Sequence, residues 1–545
     1  MKLVRLGLAA AAVVLLLTAV WTPERERGPA TVGHSVLVDE FGPDRPFVRS
    51  HEAPDILVDR ENPDVVYVSS VELTTGACRF FVSLDRGLSW RAENAPRIDP
   101  WTQNCAMGSA SPQNVRTDLA QGPDGTLYYA FQGNDPEAGG TRSVLLGRSP
   151  DGGRSWETVV VEAGPRAEER AQAELNFQAH VAVDPDRPSI VYVMWRRAYP
   201  VVDPAVRPRR SRPYFAVSHD GGASFEPATE LLDVDLGADG PRPVVVDGTV
   251  YAFFLQAAPP LPAGDSPAPS PSPPLARLFV AASSDRGRTW VRSEIAAARE
   301  ASDPVPVWDD ETAAFHVVWH DNRKEELDIW YSSSPDGVSW SAPRQLNDDP
   351  SGTRVGQHYP QISVSAGGRI DVAWYDWRDD PFPAPAVGAG NVLGLFTNRG
   401  KVASVYLTSS RDGGRSWSPN VRVNDQLIDR TVGTWANNYD VLAPPAVAST
   451  ATQALVTWSD TRHATGLSQT QDIATATVTF ERATSARVTG LQATLVGVLI
   501  GSGVAMWVAL WIVRRPGRSA AAPGRGRGGG GRKPAALPTL TPGPN

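Results

Sequence analysis

The feature that most constrains this chain is a short turn motif that occurs six times. The clearest copy runs from Ser410 to Trp417 and reads SRDGGRSW, so a polar, glycine-rich stretch ends on the largest apolar side chain. An aspartate in such a turn accepts backbone N–H bonds, glycines permit positive φ, and the aromatic residue anchors the next strand. The motif therefore predicts a recurring β-hairpin with a structural aspartate: Asp85, Asp151, Asp220, Asp285, Asp336 and Asp412.

A second pattern precedes each motif and consists of two short β-branched and aromatic runs joined by a polar turn. Seven such pairs occur, beginning near Asp55, Arg116, His180, Pro243, Pro304, Pro360 and Pro444. The first six continue with a third run, the turn motif and a fourth run, at a spacing of about 60 residues. Four short strands per repeat are typical of a β-propeller blade. We therefore predict an all-β propeller of four-stranded blades over residues 34–480, with seven blades expected and six as the alternative.

The seventh repeat has a third run from Asp472 but no turn motif and no fourth run. The stretch HSVLVDE from His34 matches the pattern of the fourth runs and precedes the first repeat. A propeller whose N-terminal strand completes its last blade leaves no open sheet edge. We therefore expect residues 34–40 to pair beside residues 472–480.

The six copies of Ser-x-Asp-x-Gly-x-Ser/Thr-Trp, with Phe225 in place of Trp once, resemble the Asp-box (BNR) repeats of the sialidase superfamily. The resemblance implies a propeller and, in sialidases proper, an arginine triad that clamps the sugar carboxylate, a tyrosine–glutamate nucleophile and an aspartate acid/base. The first of those arginines opens the first blade in an Arg-Ile-Pro motif, where this chain reads Glu52-Ala53-Pro54. We therefore expect weak or absent sialidase activity, because a carboxylate repels an acidic sugar. A neutral sugar, handled by carboxylates such as Asp321, Asp376 and Asp440, fits the charge better.

Candidate ligand-binding residues follow from where propellers place their sites, on the face opposite the turn motifs. Tyr359 and Tyr439 lie near strand entries where a tyrosine nucleophile would be needed, although packing or a rim position is the alternative for each. The residues expected on this face are Arg116, Asp118, His180, Arg242, Asp303, His358, Tyr359, Tyr439 and Asp440.

A further pattern ends the second run of three repeats as Trp-x-Asp-x-Arg. An aspartate and an arginine two residues apart pair with each other or with backbone, which would fix the loop in the same way in each blade. The recurrence favours this structural role, with glycan binding on the same face as the alternative. The pairs are Asp321 with Arg323, Asp376 with Arg378, and Asp460 with Arg462.

The chain has two cysteines, Cys78 and Cys105, and we expect one disulfide across the loop-bearing face, with two free thiols as the alternative. No His-x-x-x-His, cysteine cluster or phosphate-binding glycine loop is present. We therefore expect neither a cofactor nor a catalytic metal, and leave open a structural calcium at Asn347-Asp348-Asp349. Of two long insertions, the proline-rich one ending at Pro274 is expected to be disordered, and the one ending at Gly400 to be a lid or a plain loop.

Both ends of the chain carry apolar segments. Lys2 and Arg5 precede an apolar run, which predicts a signal peptide over residues 1–22, with an uncleaved anchor as the alternative. Residues 491–513 are predicted to form a transmembrane helix rather than a buried core helix, and residues 514–545 a basic, disordered cytoplasmic tail. The basic tail predicts a single-pass protein of the cell membrane, with an extracellular propeller.

The predicted extracellular part is acidic, because it contains all 60 Asp and Glu residues while nine of the 52 Lys and Arg residues lie at the two ends. Such a surface repels phosphate backbones, so nucleic acid is not expected as a partner. These observations predict a membrane-anchored extracellular propeller that binds or hydrolyses glycans. The alternative is a non-catalytic scaffold for cell-surface proteins, and the sequence leaves open whether the protein is an enzyme.

Overall fold

The computed structural model describes residues 30–39, 50–73, 76–97, 105, 116–135, 140–165, 174–199, 211–237, 239–257, 275–324, 326–350, 355–381, 401–433, 443–465 and 470–480. Every regular element in these ranges is a β-strand. Within them, no helix has the length and apolar character needed to cross a membrane. The predicted signal peptide (1–22), transmembrane segment (491–513) and tail (514–545) lie outside the described residues, as do Tyr439, Asp440 and both long insertions.

In the described ranges, thirty strands form seven sheets, and each sheet is one blade. Two short N-terminal strands come first, β1 (Thr31–Val32) and β2 (Val36–Leu37). Blade 1 contains β3 (His51–Val58), β4 (Val66–Glu72), β5 (Ala77–Ser83) and β6 (Arg91–Glu93). Blade 2 contains β7 (Asp118–Gln121), β8 (Leu127–Asp135), β9 (Gly140–Ser149) and β10 (Glu157–Glu162). Blade 3 contains β11 (Leu175–Val183), β12 (Val191–Ala198), β13 (Ser211–Ser218) and β14 (Thr229–Glu230).

The remaining blades repeat this order. Blade 4 contains β15 (Arg242–Val246), β16 (Thr249–Gln256), β17 (Ala276–Ser283) and β18 (Val291–Ala298). Blade 5 contains β19 (Val305–Asp309), β20 (Ala314–Asp321), β21 (Asp328–Ser334) and β22 (Arg344–Gln345). Blade 6 contains β23 (Gln357–Val364), β24 (Ile370–Asp376), β25 (Val402–Ser410), β26 (Val421–Arg422) and β27 (Ile428–Asp429). Blade 7 contains β28 (Ala446–Ser449), β29 (Gln453–Asp460) and β30 (Asp472–Thr479).

The N-terminal segment completes blade 7, as the sequence predicts. Val36 pairs with Thr475 and Leu37 with Ala474, antiparallel to β30. The pairing begins earlier than expected, because Thr31 also pairs with Thr479. The propeller therefore has seven blades, and the first and last strands of the chain are joined in one sheet.

The core lies between the blades, because each sheet is covered by a neighbour on both sides. The second strands are buried along most of their length, and they contribute fully buried tryptophans in four blades: Trp195, Trp319, Trp374 and Trp458. Continuous burial of this kind explains the nearly uninterrupted apolar runs of the sequence.

The recurring turn motifs form the hairpins between third and fourth strands. In the copy at Ser410, Asp412 accepts the backbone N–H of Ser416 (2.8 Å) and the Ser416 hydroxyl (2.6 Å). The Ser410 hydroxyl donates to the same carboxylate (2.9 Å). Trp417 donates its indole N–H to Gly414 O (3.1 Å) and packs on Tyr331 of blade 5, with ring centroids 5.0 Å apart. The anchoring tryptophan therefore fills the space between two blades.

The second glycine of the motif has a positive φ and touches the preceding blade. Gly414 has φ 82°, and a Cβ there would overlap Tyr331. Gly153 faces Phe80 and Gly287 faces Phe215 in the same way. Only glycine satisfies both the backbone conformation and the close contact.

Cys78 and Cys105 form the expected disulfide, with Cα atoms 4.7 Å apart. Cys78 lies in β5, whereas Cys105 belongs to the connection between blades 1 and 2. The bond ties that connection to the first blade on the face opposite the turn motifs.

Candidate functional site in the propeller mouth

The innermost strands of all blades run in the same direction, so their N-terminal ends meet on one face around the propeller axis. Ionisable side chains from blades 1 to 5 converge there: Asp55, Arg116, Asp118, His180, Asp239, Arg242 and Asp303. We call this group the charged mouth. All but Asp55 and Asp239 are among the residues that the sequence predicts for this face.

Asp239 lies at the centre of the charged mouth. Its Oδ2 is 2.6 Å from Arg116 Nη1 and 3.4 Å from Arg242 Nη2, and its Oδ1 accepts the backbone N–H of Gly240 (3.0 Å). Burial alone would raise the pKa of the Asp239 carboxyl, but Arg116, His180 and Arg242 hold that pKa well below its ordinary range. Asp239 is therefore a fixed anion that holds two guanidinium groups side by side.

His180 lies between two carboxylates. Its Nδ1 is 3.0 Å from Asp118 Oδ1, and its Nε2 is 3.7 Å from Asp239 Oδ1. Burial and Arg242 lower the pKa of His180, but Asp118 and Asp239 outweigh them and raise it above its ordinary value. Asp118 also accepts the backbone N–H of Val181 (2.8 Å), so the same carboxylate orients the imidazole and clamps blade 2 to blade 3.

Asp303 and Asp55 also clamp neighbouring blades. Asp303 accepts the backbone N–H groups of Asp239 (2.8 Å) and Leu255 (3.2 Å), and Asp55 accepts that of Leu119 (2.7 Å). Burial, reinforced by Asp239 for Asp303 and by Asp118 for Asp55, raises the pKa of each carboxyl to about 7. The carboxyls of Asp55 and Asp303 are therefore the groups of the charged mouth whose pKa lies close to neutral pH.

Three inner strands contain a β-bulge with a non-glycine residue at positive φ. These residues are Ala53 (52°), Gln178 (50°) and Tyr359 (56°), and each lies at a register shift in β3, β11 or β23. Such backbone costs on the order of 1 to 2 kcal/mol and is concentrated at functional sites. The bulges re-aim the strand ends that line the mouth.

Tyr359 belongs to an aromatic cluster of blades 5 and 6. Its backbone N–H donates to His320 Nδ1 (3.0 Å), and its ring is 5.6 Å from the His320 ring. His358 packs on Trp377, with centroids 4.7 Å apart. Burial lowers the pKa of Arg116, and Tyr359 is among the groups that oppose this effect, so the aromatic cluster lies near the charged mouth.

Phe177 lies between two further arginines at the edge of blade 3. The Cζ atoms of Arg142 and Arg196 lie 4.4 and 5.0 Å from its ring centroid. Arg196 also lowers the pKa of Asp303 to a small extent, which places it next to the charged mouth.

Glu52, at the position where the sialidase-like motif would have an arginine, is fully buried. Its Oε1 accepts a hydrogen bond from Gln471 Nε2 (2.9 Å) at the junction of blades 1 and 7. Burial raises the pKa of the nearby Tyr375 well above its ordinary value, and Glu52 adds to this effect. The position of the expected arginine therefore holds a carboxylate that is hydrogen-bonded to a side-chain amide.

The three Trp-x-Asp-x-Arg segments pair internally, as their recurrence indicates. Asp321 accepts hydrogen bonds from Trp319 Nε1 (2.6 Å) and from the Arg323 backbone N–H (3.0 Å) and Nε (2.8 Å). Asp460 with Arg462 repeats this arrangement, and Asp376 with Arg378 repeats it with the arginine Nη2 as the side-chain donor. All three aspartates are buried. The loops are therefore fixed by these carboxylates, which lie inside the blades rather than in the charged mouth.

The acidic stretch Asn347-Asp348-Asp349 is held by Arg378, whose Nη1 is 2.7 Å from Asp348 Oδ1. In the part of the chain that the structure describes, no group of three or more His, Cys, Asp or Glu side chains is arranged to hold a metal ion.

Sequence reasoning missed Asp239 and Asp55. The position of Asp239 in the sequence could have placed it on this face, because it lies three residues before an inner strand, much as Asp303 lies two residues before its strand. Asp55 lies within a predicted inner strand, where an apolar or packing role is the usual expectation.

Fold and turn contacts together define a seven-bladed β-propeller whose third-to-fourth-strand hairpins are Asp-box turns. No protein-family model matches the chain, and no curated protein matches it. A protein of unknown function from Dyadobacter fermentans is 11% identical over 83% of this chain and 99% of its own, with a TM-score of 0.44. A Hadza microbial sialidase is 13% identical over 76% of each chain (TM-score 0.41). An α-L-arabinofuranosidase from Fusarium graminearum is 11% identical over 64% of this chain and 93% of its own (TM-score 0.39).

Proposed function

We propose that this protein is an extracellular, membrane-anchored propeller that binds carbohydrate in its charged mouth. The observation that carries the proposal is the convergence of Arg116 and Arg242 on Asp239, beside His180. This arrangement places fixed donors and acceptors from three blades within one small region.

The arrangement suits sugar hydroxyls, each of which both donates and accepts hydrogen bonds. Guanidinium and carboxylate groups are planar and bidentate, so a pair of adjacent hydroxyls can bridge them. Because ion pairs already hold these side chains in place, little conformational entropy is lost when a ligand binds.

A protein-binding scaffold is the alternative function. Protein interfaces have an apolar, often aromatic centre and are depleted of charged residues there. The described residues of the mouth are mostly charged, which favours a small polar ligand over a protein surface.

Hydrolysis of a glycoside is a second candidate activity, and one observation favours it. A general acid must be protonated at the working pH, and the pKa of Asp303 is raised to about 7 by burial and Asp239. Asp303 is also close enough to Arg116 to influence its pKa. We assign the acid role in such a reaction to Asp303.

The test is a glycan-binding screen with the full-length protein in detergent or nanodiscs, comparing wild type with Arg116→Gln and Arg242→Gln. We expect each variant to bind at least about tenfold more weakly, since each loses a charge-assisted hydrogen bond. Arg299→Gln, which changes an exposed arginine, is the matched control and should bind like wild type. Thermal unfolding of each variant separates lost binding from lost folding. Unchanged glycan affinity in folded Arg116→Gln and Arg242→Gln would contradict the proposal.

The hydrolysis candidate is tested with the same preparations and a panel of fluorogenic neutral glycosides. Asp303→Asn should abolish any turnover while glycan binding persists. Turnover that survives in folded Asp303→Asn would show that another group is the acid.

A further inference from the structure

We infer that the face carrying the Asp-box turns rests on the anionic lipid surface of the membrane. We call it the turn face; it consists of the six Asp-box turns and the hairpins between first and second strands. This inference rests on the membrane anchoring proposed above, and it does not depend on what the mouth binds.

The first support is the path of the chain. β30 ends at the turn face, where the backbone N–H of Phe480 donates to Thr452 O (2.9 Å) in the hairpin that joins β28 to β29. Thr31 pairs with Thr479, so the N-terminal strand begins at the same end of the blade. Both chain ends therefore leave the propeller at the turn face, whether or not residues 1–22 are removed.

The second support is the short length of chain that follows. The segment predicted to span the membrane begins at residue 491, and residues 481–490 reach at most about 36 Å when fully extended. A strand of eight residues such as β29 is roughly 27 Å long. If the mouth faced the lipid, the chain after residue 480 would first have to run the whole height of a blade, from the turn face to the mouth. If the turn face lies on the lipid, this detour is not needed, because the chain leaves the propeller there.

The third support is the set of exposed side chains on the turn face. Leu84 and Leu88 of the first Asp-box turn are 56% and 69% exposed, and Val338 of the fifth is 64% exposed. Exposed arginines occur in four of the six turns: Arg86, Arg154, Arg286, Arg288, Arg411 and Arg415. Basic side chains combined with aliphatic tips are what the interface of an anionic bilayer attracts.

The charge on this face is arranged in two rings. The arginines of the Asp-box turns form the outer ring, at the junctions of third and fourth strands. The exposed acidic residues lie mainly on the hairpins between first and second strands, closer to the axis, for example Asp124, Asp186, Asp247 and Asp310. Within each turn the box aspartate binds its own serine, threonine and backbone groups, as Asp285 does with Ser283 and Thr289. Arg86 pairs with Asp64 of an inner hairpin, so the guanidinium groups that the outer ring presents towards phospholipid headgroups are mainly those of Arg154, Arg286, Arg288 and Arg415.

The test places the full-length protein in nanodiscs that contain phosphatidylglycerol and a lipid-borne quencher at the headgroup. A single environment-sensitive fluorophore is attached at Leu88→Cys on the turn face or at Lys324→Cys on the opposite face, both of which are exposed positions. The native cysteines do not react because they form the Cys78–Cys105 disulfide.

We expect quenching at position 88 to exceed that at position 324 at least about threefold. The difference should shrink in nanodiscs of phosphatidylcholine alone and in the double variant Arg286→Glu/Arg288→Glu, because each basic group near the surface strengthens the attraction several-fold. Equal quenching at the two positions or stronger quenching at position 324 in an inserted protein would overturn the inference. Failure of the full chain to insert would overturn the proposed anchoring, and the inference with it.

Discussion

Arg369 and Asp371 form a bidentate ion pair buried where blade 6 meets blade 7. Arg369 Nε lies 3.0 Å from Asp371 Oδ1 and Nη2 lies 2.8 Å from Oδ2, with the side chains 3% and 0% exposed. The guanidinium also donates to three blade 7 carbonyls, those of Thr450, Ala451 and Gln453. The carboxylate accepts the hydroxyls of Ser409 and Ser449. This buried charge pair therefore helps to fasten the closing blade to its neighbour.

Asp371→Asn should destabilise the propeller by about 3 to 5 kcal/mol, because it leaves the Arg369 charge buried without its counter-ion. The measurement is the free energy of unfolding from urea titration. Glu294→Gln, which breaks the exposed pair with Arg277, is the control and should cost less than about 1 kcal/mol. Equal losses in the two variants would contradict the assigned role.

Gly414→Ala should cost about 2 to 5 kcal/mol, since it combines a positive φ with overlap against Tyr331. Gly125→Ala is the matched control: Gly125 has a similar φ of 83°, but a Cβ there meets nothing within 4 Å. The control should cost only the backbone strain, roughly 1 to 2 kcal/mol. Thermal or urea unfolding distinguishes the two, and similar losses would show that the blade contact is unimportant.

The Asp boxes should make the fold sensitive to acid. Hydrogen bonds from Ser155 and Thr289 lower the pKa of Asp151 and Asp285 from 3.8 to about 2. Because the folded-state pKa lies below the unfolded value, the stabilisation is complete above about pH 4 and disappears as the pH falls towards 2. Asp285→Asn should therefore flatten the fall in melting temperature between pH 4 and 2. Parallel curves for variant and wild type would argue against this explanation.

Val38→Asp should open the ring closure. Val38 is 3% exposed and packs beside Ile473 and Leu455 of blade 7, so an aspartate there is buried without a counter-charge and should cost about 3 kcal/mol or more. A loosened N-terminal segment also exposes the edge of β30, which favours association. Melting temperature and size-exclusion chromatography report both effects, with His34→Asp, at an exposed position, as the neutral control. A monomer with an unchanged melting temperature would contradict the prediction.

Sialoside cleavage should be weak or absent. Glu52 occupies the position of the expected arginine and is buried against Gln471, so the site has no cation at that position. The assay offers a fluorogenic sialoside beside neutral glycosides to the full-length protein. Brisk sialoside turnover that is lost in Arg116→Gln or Arg242→Gln would show that these arginines bind the carboxylate instead.

The fold was accessible from the sequence because its evidence is local and repeated. Each copy of the motif around Asp412 encodes a hairpin through contacts within eight residues, and the missing fourth strand after Asp472 pointed to ring closure. The early start of the pairing at Thr31 was not visible, because a two-residue strand leaves no periodic signal.

The site was only partly accessible, because its residues come from different blades. Arg116, His180 and Arg242 were expected on one face from their places at the predicted starts of inner strands, and in the structure they converge, with His180 inside β11 rather than before it. Their common partner Asp239, and the clamping of neighbouring strands by Asp55 and Asp303, depend on how blades pack against each other. Asp321 and Asp376 lie at strand ends, where a ligand-binding group would be expected. In the structure each carboxylate instead hydrogen-bonds to the Trp and Arg of its own segment.

The pairing of Thr31 with Thr479 also determines how the propeller responds to mechanical force. The two ends of the folded chain leave side by side from antiparallel strands, so tension between residues 30 and 480 loads the backbone hydrogen bonds one after another, as in a zipper. If the two chain ends left from opposite ends of adjacent strands, tension would instead load many backbone hydrogen bonds at once, in shear. The paired N- and C-terminal strands that close the ring are therefore the first element to separate when residues 30 and 480 are pulled apart. Single-molecule force spectroscopy should show blade 7 opening before any other blade.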